Sequence, residues 1–103
     1  MYNILIVDDD ENVLKSLARL LRSPERNICC FHDPQEALVH CGLQTFDLIL
    51  SDQRMPGMEG IEFFTHIAQL FPGTFRILIS GYSDFESVTD AFNDGIIHKF
   101  IIK

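Results

Sequence analysis

The sequence predicts an α/β domain: a doubly wound, five-stranded parallel sheet in the order 2-1-3-4-5, with four helices. Three observations predict it. Short apolar runs rich in β-branched residues recur along the chain and read as strands buried on both faces. Helix-period stretches separate them one by one, a pattern of parallel strands joined by right-handed crossovers. Four of the runs end on polar residues of particular kinds. Ile4-Leu5-Ile6-Val7 runs into Asp8-Asp9-Asp10, Leu48-Ile49-Leu50-Ser51 into Asp52, Ile77-Leu78-Ile79 into Ser80-Gly81, and Phe100-Ile101-Ile102 into Lys103. Ligands bind beyond the carboxyl ends of strands in such sheets. Carboxylates, a hydroxyl and an ammonium are therefore expected to meet at one edge.

The elements follow in order. After the first strand, Val13, Leu14, Leu17, Ala18, Leu20 and Leu21 recur at helical spacing, and Ser23-Pro24 stops the helix. Residues 27–31 form a second strand. Asp33-Pro34-Gln35-Glu36 opens the second helix with a cap-like Asp, a first-turn Pro and a Glu three residues on, and Gly42 ends it. The third strand covers 46–51, and the stretch 53–60 with Pro56, Gly57 and Gly60 is a loop. Ile61, Phe64, Ile67, Ala68 and Phe71 mark a third helix, closed by Pro72-Gly73. The fourth strand covers 76–79. Ser83-Asp84-Phe85-Glu86 has capping-box spacing and opens a fourth helix that Gly95 ends. The fifth strand runs from about 98 to 103. A fifth helix is expected after it, on the face of the first helix. Without that helix, apolar sheet surface lacks a cover.

At 103 residues this is one domain, and its 47% hydrophobic content supplies a core. The net charge of −7 argues against direct nucleic-acid binding, which needs clustered Lys and Arg. No stretch approaches the roughly 18 apolar residues of a membrane span. The start lacks the basic region of a signal peptide. Cys29, Cys30 and Cys41 have no metal-type spacing and suit a reduced, cytoplasmic protein. His32, His40, His66 and His98 are scattered and read as surface or packing residues.

Asp8 and Asp9 follow the first strand and Asp52 follows the third, which the predicted order makes neighbours at the switch point. Carboxylates crowded there need a raised pKa or a cation. Mg²⁺ fits, since it binds through one or two carboxylates, waters and a phosphate oxygen. Ser80 offers a hydroxyl and Lys103 a compact positive charge to a phosphoryl group, with room beside Gly81. A carboxylate near Mg²⁺ can itself be the nucleophile.

These residues resemble the response-regulator receiver domain of two-component signalling, a CheY-like, flavodoxin-like fold. The matching pieces are Ile4 to Asp9, Asp47 to Asp52, Arg54-Met55-Pro56-Gly57-Met58-Glu59-Gly60, Ser80-Gly81 and Phe100 to Lys103. Their spacings fit too: 43 residues from Asp9 to Asp52, 28 from Asp52 to Ser80 and 51 from Asp52 to Lys103. The resemblance covers the whole chain and implies a phosphorelay switch rather than an enzyme. It implies that Asp52 accepts a phosphoryl group from a sensor histidine kinase or phosphotransfer protein. It implies Mg²⁺, or Mn²⁺ in its place, on Asp9, Asp52 and the Arg54 backbone carbonyl, with Asp8 acting mainly through water. Asp10 is assigned no metal role. Ser80 and Lys103 would bind phosphoryl oxygens, and Phe100 would swing inward as Ser80 moves. Arg54 and Tyr82 flank the site and are expected to tune the phosphoryl lifetime by gating water.

The family continues past its lysine with a Pro, usually cis-linked, and a fifth helix. Residues 1–103 are thus expected to be an N-terminal fragment of a longer regulator, with an output domain beyond 103. Lys103 is expected to be loosely held, and self-association through the exposed last strand is expected. The wording around Asp52, Ser80 and His98-Lys99-Phe100 resembles receivers joined to cyclic-di-GMP phosphodiesterases of the HD-GYP type, or to other enzymatic outputs, more than to DNA-binding ones. Two other classes stay open. One is a Mg²⁺-dependent aspartyl phosphatase, which wants a second Asp where Arg54 stands. The other is a receiver-like interaction domain that is never phosphorylated.

Overall fold

The computed structural model describes residues 1–103, apart from the side chain of Tyr82. Its strands are β1 (Tyr2–Val7), β2 (Arg26–Phe31), β3 (Leu48–Asp52), β4 (Phe75–Ser80) and β5 (Lys99–Ile102). Its α-helices are α1 (Glu11–Leu21), α2 (Pro34–Cys41), α3 (Gly60–Leu70) and α4 (Phe85–Asn93), the last preceded by a 3₁₀ turn at Tyr82–Asp84. All pairings are parallel, in the order β2-β1-β3-β4-β5. The predicted fold class is therefore present, with element ends shifted by one or two residues.

Period-two alternation divides the sheet into two faces. Ile4, Ile6, Leu50 and Ile79 lie on one and pack with Leu14 of α1. Leu5, Val7, Ile49 and Leu78 lie on the other and form the larger core with Ala37, Phe63, Phe64, Ile67 and Val88 from α2, α3 and α4. One helix against three leaves the α1 face partly open. Phe75 and Ile101 are each nearly half exposed there.

The helix starts are set by local chemistry. Asp10 Oδ1 accepts from the Asn12 amide at 2.9 Å and caps α1. Asp33 does the same for α2 through Gln35 at 3.0 Å, with Pro34 behind it. The expected capping box at α4 does not form. The cap is Asp84 rather than Ser83, and it makes no side-chain capping bond: its backbone, at φ −98° and ψ 5°, continues the 3₁₀ turn instead of being extended, and its carboxylate pairs with Arg54.

One buried arginine ties the amino ends of β4 and β5 together. Arg76 is 4% exposed, and its partners are backbone carbonyls: Ile96 at 2.7 Å, Thr74 at 2.9 Å, Gly95 at 3.2 Å and Pro72 at 3.4 Å. Arg76→Met keeps the bulk but leaves these carbonyls without that donor. It is expected to cost about 2 kcal/mol in urea unfolding, and Lys, a point donor, is expected to restore little of it. All three cysteines are free, and burial pushes the Cys41 thiol up to about 11.

Candidate functional site

Strand register builds the site. Val7 pairs with Ser51, Asp52 with Ile79, and Ser80 with Ile102, so the strand ends lie level across the sheet. By alternation, Asp8, Asp52 and Lys103 continue the α1-facing rows, whereas Ser80 and Phe100 belong to the opposite rows. The carboxylates and ammonium thus come from one side and the hydroxyl from the other.

One oxygen each of Asp8, Asp9 and Asp52 lies within 4.8 Å of the others, with Asp8 and Asp52 buried and Asp9 exposed. Asp8 Oδ1 accepts from the Asp10 amide at 2.9 Å, while Oδ2 is buried and has no hydrogen-bond partner among the described residues. Burial holds the Asp8 carboxyl above its usual range. The Asp10 amide opposes this, and the charges of Asp52 and Asp9 add to it. An orphaned buried oxygen among three clustered carboxylates is a donor set suited to a hard divalent cation.

Lys103 Nζ lies 2.9 Å from Asp52 Oδ1. Burial works to lower the lysine pKa, but the hydrogen bond and charge of Asp52, with Asp8 and Asp9, outweigh it and raise it. Lys103, expected to be loosely held, is half exposed at its side chain and tied to the sheet at its backbone. Its amide donates to the Ser80 carbonyl at 2.8 Å, so the β4–β5 ladder itself aims the side chain. Ser80 Oγ is buried and without a partner among the described residues. A Cβ placed on Gly81 would meet nothing within 4 Å, the room expected beside Ser80. Phe100 is half-buried and meets Phe85 and Phe92 of α4 edge-on, with ring centres 6.5 and 6.0 Å away.

Arg54 turns toward the other loop. Its guanidinium binds Asp84 Oδ1, with Nε at 3.0 Å and Nη2 at 2.7 Å. The Tyr82 side chain, the other expected tuning residue, lies outside the described residues.

Sequence reasoning missed two residues here. Gln53 is buried beside Asp52. Its Oε1 accepts from the Ile61 amide at 2.9 Å and its Nε2 donates to Glu59 at 3.2 Å. It therefore supplies the α3 cap that Glu59 does not. Gly60 lets the start of α3 press against β3, since a Cβ there would sit 2.3 Å from the Asp52 carbonyl oxygen. The Pro56–Gly60 loop signal was legible, but neither contact was.

The profile of the response regulator receiver domain matches residues 4–103. The chain belongs to the response-regulator receiver family. It is thus a module of two-component signalling. It is 35% identical over 100 residues to the hydrogenase transcriptional regulatory protein HoxA of Cupriavidus necator, covering 97% of this chain and 20% of HoxA. The receiver chain accordingly spans about a fifth of that relative's length. Among solved structures, the signal receiver domain of an HD domain-containing protein from Pseudomonas fluorescens Pf-5 superposes with a TM-score of 0.89. It is 31% identical, covering 98% of this chain and 74% of that one. TrrA of Thermotoga maritima, solved in complex with Mg²⁺-BeF, has a TM-score of 0.87. It is 27% identical, covering all of this chain and 87% of that one. No helix among the described residues is long and apolar enough to cross a membrane.

Proposed function

We propose that this receiver takes a phosphoryl group on Asp52 from a phosphohistidine of a sensor histidine kinase or phosphotransfer protein. An Asp52 oxygen attacks phosphorus as the phosphorus–nitrogen bond breaks, and the imidazole leaves and takes up a proton. The observation that carries the reading is the convergence of Asp8, Asp9 and Asp52 beside Lys103, with the Ser80 hydroxyl buried and unpartnered among the described residues.

Asp9, Asp52 and the Arg54 carbonyl would hold Mg²⁺ directly, with Asp8 acting mainly through water; Mn²⁺ has the same oxygen preference. Bound by these residues, the cation would neutralise charge that develops on the phosphoryl oxygens. Lys103 is already on Asp52 and needs only a small shift to follow the new charge. Ser80 gains the acceptor it lacks. As it moves, the β4–α4 loop follows, and Phe100 packs inward behind it from its contacts with Phe85 and Phe92. A local charge thus biases a two-state element.

The aspartyl-phosphatase class is disfavoured, because Arg54 stands where an acid–base Asp is wanted and is itself bound to Asp84. The interaction-only class leaves Ser80 and Asp8 with buried orphan atoms and no role. The greater length of HoxA supports an output domain beyond residue 103, in a regulator that acts in the cytoplasm. The open α1 face around Ile101 is the surface on which a further helix, or a second copy, would pack.

Beryllofluoride with Mg²⁺ tests the reading by calorimetry. Saturable binding is expected, weakened about tenfold in Lys103→Gln, the size of one charge-assisted contact. Binding by the unsubstituted protein that needs neither Asp52 nor Lys103 would sink it.

A further inference from the structure

Arg54 and Asp84 form a second charged pair, and it joins the β3–α3 loop to the β4–α4 loop. The Asp84 side chain is 7% exposed and the Arg54 side chain 66%. Both Arg54 donors fall on Oδ1, so Oδ2 stays buried and unpaired among the described residues. Asp84 precedes α4 at the end of the 3₁₀ turn, with φ −98° and ψ 5° rather than the extended backbone of a capping residue, so its carboxylate is not committed to the helix amides. A buried carboxylate oxygen left without a partner is a local irregularity of the kind found at functional sites.

The position of the pair points to its use. Arg54 lies two residues past Asp52 and Asp84 four past Ser80. The Asp84 amide donates to the Gly81 carbonyl at 3.2 Å, which closes the turn that follows Ser80.

We propose that Asp84 is a positioning residue that parks the Arg54 guanidinium away from Asp52, and that the phosphoryl group on Asp52 draws Arg54 off it and so frees the β4–α4 loop. This rests on the phospho-acceptor reading above. The planar guanidinium suits a phosphoryl group, which carries more charge and more acceptor oxygens than a carboxylate. Arg54 is mostly exposed, so swinging it costs little. Release of Asp84 removes the side-chain bond that ties the β4–α4 loop to the β3–α3 loop.

The test is beryllofluoride with Mg²⁺ titrated into the 103-residue protein and three variants: Asp84→Asn, Arg54→Gln and the double variant. Asp84→Asn keeps the shape and releases Arg54. Affinity is expected to rise about three- to tenfold, the scale of a part-exposed ion pair that no longer has to be broken. Arg54→Gln is expected to bind more weakly, and adding Asp84→Asn to it is expected to change nothing further. An unchanged affinity in Asp84→Asn, or the same gain without Arg54, overturns the proposal. The Arg54 Nε–H proton resonance gives a second readout, independent of affinity. It is expected to shift on beryllofluoride binding, and to approach its free value in Asp84→Asn alone. A resonance that beryllofluoride leaves in place also overturns it. Failure of the phospho-acceptor reading looks different: no beryllofluoride binding even by the unsubstituted protein, which overturns both.

Discussion

Asp52→Asn is expected to abolish phosphoryl acceptance and beryllofluoride binding, and at the same time to raise the melting temperature in metal-free buffer. The first effect follows from the nucleophile. An amide is neutral, offers one acceptor oxygen and cannot form the acyl phosphate, so a loss of more than about a hundredfold is expected. The second follows from the crowding of Asp8, Asp9 and Asp52 within 4.8 Å. Removing one charge relieves two repulsions, each worth around 1 kcal/mol or more at such a distance in a part-solvated site. The lost Lys103 contact offsets little, because that side chain is 47% exposed. Even if half of this gain is lost to the change of side chain, about 1 kcal/mol is left, which corresponds to a rise of about 4–8 °C in a domain of this size. Saturating Mg²⁺ is expected to shrink or reverse the difference, since the cation stabilises only the protein that binds it. Thermal melts of both proteins with and without Mg²⁺ check this. A lower melting temperature for the variant in metal-free buffer would contradict the electrostatic account.

Gly60→Ala is expected to cost about 3 kcal/mol in stability and to weaken Mg²⁺ binding with it. The added Cβ would stand 2.3 Å from the Asp52 carbonyl oxygen, 3.1 Å from the Asp52 carbonyl carbon and 2.7 Å from Leu78 Cδ1. The first two are backbone and Leu78 is fully buried, so none can yield cheaply. Helix α3 has to lift off the end of β3. That breaks the 3.0 Å bond from the Gly60 amide to the Gln53 carbonyl and disturbs the strand end that presents Asp52. No left-handed backbone is involved, so the effect is purely one of close approach. Gly81→Ala is the control: nothing lies within 4 Å of its Cβ, and a change under about 0.5 kcal/mol is expected. Urea unfolding of the two variants, with slopes compared, separates a local clash from a general loss of compactness.

Much of the candidate site was legible because strand ends are legible. A buried strand that runs into Asp52, or into Ser80, announces both its direction and its last residue. Strand order then brings those residues to one edge. Lys103 was legible as a member of the set but not in how it is held, because the bond from its amide to Ser80 belongs to the sheet. Cap positions were read well where the cap is local, as at Asp33. They failed at α4, where a 3₁₀ turn leads straight into the helix and the Asp84 carboxylate is bonded to Arg54, 30 residues away. Gln53 is the converse, a loop residue whose side chain caps a helix eight residues on.

By itself, then, the sequence determined the parallel sheet, its alternation with helices, and the residues that gather at its carboxyl edge. Periodicity and chain direction are local properties, and they carry that information without contacts. Only the tertiary structure decided that Arg76 is buried on carbonyls, that Gly60 must lack a side chain, that Asp8 and Ser80 hold buried atoms unpaired among the described residues, and that Arg54 is paired with Asp84. Each depends on which groups from distant segments approach within hydrogen-bonding or van der Waals range, and packing sets those distances.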